Sequence, residues 1–142
     1  MKNWADITAT SEHHAVLEIK NSFEKGDFQD VEEGLETLLE AMGRAEKRAV
    51  RSQLIRLMLH IIKWNIQSDK RSRSWLISIN NARFSIEEEQ EFSPSLSRLH
   101  IEELWDKALR EAKKEAQIET GLSTKHIESL TWEEVFDKEY KI

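Results

Sequence analysis

Between positions 44 and 120 the chain holds no glycine and a single proline, Pro94. A backbone with so few left-handed or amide-free positions has few places to turn, so long elements are forced on it. Across this stretch apolar residues recur every three or four positions instead of alternating, which is the helical period and gives strands little support. The expected fold is all-α: a bundle of about five helices, with long antiparallel helices and one or two short C-terminal helices. One domain over 1–142 is expected, because 142 residues suffice for one core.

The few breaks place the helices. Ser11 can cap a helix over 11–25 carrying Ala15, Val16, Ile19 and Phe23, and Gly26 suits the left-handed position that ends it. Asp30 with Glu33 resembles a capping box opening a second helix through Leu35, Leu38, Leu39 and Met42, which Gly43 ends or bends. A third helix runs over 44–67, and a fourth, capped by Ser72 or Ser74, carries Trp75, Ile79, Ala82 and Ile86 to about Phe92. Ser93-Pro94 reads as the start of a fifth, because proline at the first helical position gives up an amide that would be unpaired anyway. That helix buries Leu96, Ile101, Trp105, Ala108, Ala112 and Ala116 before Gly121 stops it. Two short pieces follow, one capped by Ser123 and one opened by the Thr131, Glu134 capping box.

The third helix is apolar nearly all round over 54–66, with its polar residues confined to one stripe: Gln53, Arg56, His60, Lys63 and Gln67. Neighbouring helices must wrap it. The run is too short to span a bilayer and is interrupted by Arg56, His60 and Lys63, so no membrane segment is expected. The N-terminal residues lack the basic lead and apolar stretch of a secretory signal. With no cysteine there is neither a disulfide framework nor a thiol nucleophile, and a cytoplasmic location is the default.

Charge is segregated. Residues 44–83 carry a net +8, while the first 43 and the last 59 residues each carry −7. The plain explanation is that helices two and five lay carboxylates along helix three. The sharper one is a basic face for a phosphate-bearing ligand, with Trp64 or Trp75 available for stacking. The overall net charge of −6 works against steering toward nucleic acid, so nucleic acid is not the favoured partner.

Several motifs in order resemble a bacterial family described as domain of unknown function number twenty-nine, common in cyanobacteria. They are Met42-Gly43 with Glu46 and Arg48, His60 with Lys63-Trp64, Arg71-Ser72-Arg73-Ser74-Trp75, Ser93-Pro94-Ser95-Leu96, and Glu119-Thr120-Gly121-Leu122 with Thr131-Trp132. The resemblance covers roughly 30–140, with the first thirty residues matching poorly. It departs where members carry an acidic pair, having Thr37-Leu38 instead. It implies an all-α fold of long antiparallel helices and no particular activity.

Two groups of residues could carry chemistry. Lys70, Arg71, Arg73 and Trp75 form a candidate anion- or partner-binding element just before a helix, where free amides favour negative charge. The competing reading has the two arginines pinned in salt bridges to acids such as Glu36, Glu40 or Glu102. Arg56, His60 and Lys63 form the candidate polar stripe, where burial lowers the pKa of histidine and lysine. No serine, threonine or acid stands beside His60 in sequence to complete a triad, and neither HExxH nor repeated ExxH occurs, so no catalytic residue, metal or cofactor is assigned. The leading reading is a noncatalytic interaction or assembly module, a homodimer or the companion of another protein, because five helices leave helix three incompletely covered. The alternative is a nucleic-acid or phosphate-ligand module acting through 44–83.

Overall fold

The computed structural model describes residues 2–142, and among them every regular element is helical. Five α-helices follow in order: α1 (Trp4–Thr10), α2 (Glu12–Glu24), α3 (Phe28–Ile66), α4 (Arg73–Phe92) and α5 (Arg98–Thr120). A 3-10 turn at Ser68–Lys70 links α3 to α4, and a π-helical turn at Glu133–Asp137 lies near the C-terminus. The chain divides into two compact units, the first ending at Lys47 and the second running Arg48–Ile142. A single helix, α3, supplies residues to both.

In the first unit, α1 is capped by Asn3, whose side chain accepts from the Asp6 amide, and α2 by Ser11, which accepts from the His14 amide. The cap and the Gly26 left-handed turn (φ 76°) confirm the first expected helix, while α1 had gone unread. Trp4, Ala15, Ile19 and Leu38 form the small core, with Ile7 and Val31 packed against it. Gly34 is what lets α2 lie so close to α3: a Cβ there would stand 2.7 Å from Ile19 and 2.9 Å from the Trp4 ring.

Two expectations at this end are corrected. The helix does not start from an Asp30 cap, because Asp27 accepts from the Asp30 amide at 3.1 Å. The Asp30 carboxylate instead receives the Trp4 indole N–H and the Ser22 hydroxyl, each at 2.8 Å. Nor does Gly43 end the element, since α3 is one 39-residue helix. A lone glycine costs a helix only about 1 kcal/mol, and Ala41, Met42, Arg44 and Ala45 around it are good helix formers.

The second unit holds the main core. Leu54, Leu57, Met58, Ile61 and Ile62 of α3 are fully buried, with Ile79, Ala82 and Ile86 of α4 and Ile101, Ala108, Ala112 and Ala116 of α5. Alanines at four-residue spacing on α5 leave room for a backbone to approach closely. The Lys63–Glu119 ion pair (3.0 Å) sets the C-terminal ends of α3 and α5 side by side, so these two run in the same direction. α4 returns antiparallel to α3, as Lys63 beside the Trp75 ring shows. Leu96, Leu130, Val135 and Tyr140 close the core, and of the apolar residues from 54 to 64 only Ile55 is partly exposed.

The start of α5 also differs from expectation. Ser93 caps the C-terminal end of α4, Pro94 lies in a turn, and Ser97 caps α5 by accepting from the His100 amide. Ser123 opens no helix, only a turn in which its hydroxyl accepts from the Lys125 amide. The Thr131–Glu134 capping box forms as expected, with reciprocal bonds of 3.1 Å.

Candidate functional site

The motif residues gather around the end of α3. The Lys63 ammonium pairs with Glu119 and lies 4.9 Å from the Trp75 ring centroid. The Arg71 guanidinium lies 4.9 Å from the Trp64 ring centroid, and its Nε donates to the Trp64 carbonyl at 2.9 Å. Trp64 meets Tyr140 edge to face at 5.8 Å. Tyr140 donates its hydroxyl to the Glu134 carbonyl at 2.6 Å, and Arg83 lies 5.5 Å from the same ring while donating to the Val135 carbonyl. Cations and aromatic rings thus interleave from the α3–α4 linker to the C-terminal strap. Burial pushes the Tyr140 phenol up to about 12.

Lys70 ends the 3-10 turn and Arg73 opens α4, both exposed. Arg71 is pinned, although by a carbonyl and a ring and not by the acids expected: Glu40 pairs with Arg44 and Glu102 with Arg98. Trp64 is nearly sealed, whereas Trp75 is half-buried and has the Lys63 ammonium against its ring.

Arg56 and His60 line an open groove with Ser52, Ile55, Leu59 and Glu115. The His60 Nδ1 stands 2.8 Å from the Arg56 carbonyl; a carbonyl can only accept, so Nδ1 carries the proton and Nε2 is the basic nitrogen. Desolvation holds the imidazole below its ordinary pKa, aided by Lys63 and Arg56 and opposed by the carbonyl bond and Glu119. Ser52 shares the groove, but eight helical residues put its backbone about 12 Å from that of His60, beyond nucleophile–base reach. With its Nδ1 engaged by its own helix, His60 lacks the carboxylate orientation of a triad.

A feature not read from the sequence lies in the first unit. Val16 and Phe23 of α2, and Phe28, Leu35, Leu39 and Met42 of α3, are all exposed, Leu39 at 67% and Phe28 at 64%. On each helix they stand about a quarter turn from the buried line, which is Ala15, Ile19 and Ser22 on α2 and Gly34 and Leu38 on α3. The helices are antiparallel, as the Ser22–Asp30 bond and the Ile19–Gly34 approach show. The same-handed quarter turn therefore brings both sets to one side of the hairpin, and Phe23 and Phe28 touch edge to face at 5.8 Å. The sequence had marked several of these residues as core by their period; its signal was that they outnumber what two helices and a seven-residue α1 can cover.

Among the described residues no helix is long and apolar enough to cross a membrane. The family model described as a domain of unknown function, DUF29, matches residues 5–141, so the similarity includes the N-terminal helices that the motifs had left out. No curated protein and no solved structure matches the chain.

Proposed function

The chain belongs to the DUF29 family of domains of unknown function, whose model spans nearly its whole length, and from that premise we propose that it is a noncatalytic interaction and assembly module of the bacterial cytoplasm. The observation that supports this reading is the apolar side of the α2–α3 hairpin, six large side chains left in water by their own chain. Monomeric proteins seldom expose a contiguous apolar patch of this kind unless something docks on it. The occupant in this reading is a second copy of the chain, giving a homodimer, because an isologous contact covers both patches at once. The rest of the surface fits the same reading: Arg71 of the α3–α4 linker is engaged with Trp64 and Lys63 of α3 with Trp75, and His60 has no assembled catalytic neighbours.

Sedimentation equilibrium tests it with the Phe28→Glu/Leu39→Glu double variant. The wild-type chain is expected to dimerise at micromolar concentration, and the variant to remain monomeric with an unchanged helical circular dichroism spectrum. A wild-type chain that stays monomeric to high micromolar concentration overturns the reading.

A further inference from the structure

A second surface, within the unit Arg48–Ile142, carries a different chemistry. An open groove of about 320 Å³ runs between α5 and the segment after it, lined by Glu102, Trp105, Asp106, Leu130 and Trp132. Its aromatic wall is fixed. The Trp105 indole donates to the Leu130 carbonyl at 3.0 Å, Trp105 and Trp132 stack at 5.7 Å, and Phe136 backs Trp132 at 4.3 Å. Neither indole is fully buried, so both present surface to the groove.

One end of this wall already shows what it accepts. The Arg98 guanidinium lies 4.2 Å from the Trp132 ring centroid while its Nε sits 2.9 Å from Glu102, so a cation is held by a ring and a carboxylate together. One turn further along α5, Asp106 stands in the same groove beside Trp105, and among the described residues it has no ion-pair partner. The aromatic wall and an unneutralised carboxylate are thus repeated without the cation. Aromatic rings attract cations through their quadrupole, and the attraction grows where the site is partly desolvated. A guanidinium adds donors that a carboxylate accepts side-on.

The geometry points to a docking groove for a basic side chain of a partner protein, best an arginine, seated against Trp105, beside the Trp132 that already carries Arg98, and paired with Asp106. The groove is built from residues of the second unit and the apolar α2–α3 side from residues of the first, so one chain carries a surface for its own copy and another for a basic segment. Glu102 remains paired with Arg98, so Asp106 is the carboxylate left for the ligand.

Titration of the full chain with the peptide Gly-Arg-Gly-Arg-Gly, followed through the five indole N–H resonances, tests this. The resonances of Trp105 and Trp132 should shift saturably, while those of Trp4, Trp64 and Trp75 stay in place. The same peptide with citrulline for arginine, equal in shape and uncharged, should produce no saturable shift. Asp106→Asn should weaken binding about tenfold, the loss of one charge-assisted contact, and Glu111→Gln, an exposed acid of α5 outside the groove, should leave it unchanged. Equal shifts from the citrulline peptide, silence at Trp105 and Trp132, or an equal effect of the Glu111 control would overturn the proposal.

Discussion

Arg71 reaches back from the α3–α4 linker to Trp64, donating its Nε to the Trp64 carbonyl at 2.9 Å while its guanidinium lies over the indole. The last carbonyls of a helix have no partner within it, and α3 ends at Ile66, so the Trp64 oxygen is one of these orphans. An arginine satisfies it and stacks at the same time, a combination of directed donor and planar cation that lysine lacks.

Charge is therefore not what this position requires. Arg71→Lys and Arg71→Ala are each expected to lower unfolding free energy by about 1 kcal/mol, the scale of one hydrogen bond with its cation–π contact. Urea melts of the two variants check it. A lysine variant as stable as the native chain would show that positive charge alone suffices.

The two glycines inside α3 should respond to alanine with opposite signs. At Gly43 a Cβ meets nothing within 4 Å, so Gly43→Ala removes only glycine's helical penalty and should stabilise by about 0.5–1 kcal/mol. At Gly34 the Cβ would press on Ile19 at 2.7 Å and on the rigid Trp4 ring, so Gly34→Ala should destabilise by about 1–3 kcal/mol. Thermal melts of the pair decide it, and a shift in the same direction would count against the packing of α2 on α3.

Tyr140 is the only tyrosine, so tyrosinate absorbance reports on it alone. Its phenol is raised from 10.0 to about 12, first by burial. Between those values the unfolded chain gives up the proton and the folded chain keeps it. Stability from this group is therefore intact below pH 10 and is lost as pH rises toward 12. Spectrophotometric titration should show ionisation well above 10. Tyr140→Phe keeps the ring against Trp64 but drops the bond to the Glu134 carbonyl, at about 1 kcal/mol.

What was legible in the sequence was what is local. The caps at Ser11, Ser72 and Thr131–Glu134 and the left-handed stop at Gly121 each depend on residues within three positions, and each is found in place. Gly43 and Pro94 misled because a breaker's effect depends on its neighbours: the helix formers around Gly43 carry the helix through, and Ser97 offers a better cap than Ser93. The motifs around Lys63, Trp64, Arg71 and Trp75 were visible as a set, yet the pairing of Lys63 with Glu119, 56 positions away, is a tertiary fact. Period alone assigned Val16, Phe23, Leu35 and Leu39 to a core, because an amphipathic face reads the same whether its cover comes from the same chain or another.

His60 gives the pH dependence on the acid side. Its imidazole is held below its ordinary value of 6.5, first by desolvation, with Lys63 and Arg56 reinforcing and the Arg56 carbonyl and Glu119 opposing. As pH falls below 6.5 the unfolded chain takes up a proton that the folded chain still refuses, so the unfolded state binds more protons and stability drops. The contribution is fully present above 6.5 and is lost as pH falls through the depressed value. His60→Gln, which keeps a side-chain donor for the Arg56 carbonyl and has no proton to gain, should flatten this slope between pH 6.5 and 5. Urea midpoints of both chains across that window measure the difference. The other four histidines and the carboxylates are common to both, so parallel curves would show that His60 titrates alike in the folded and unfolded chains.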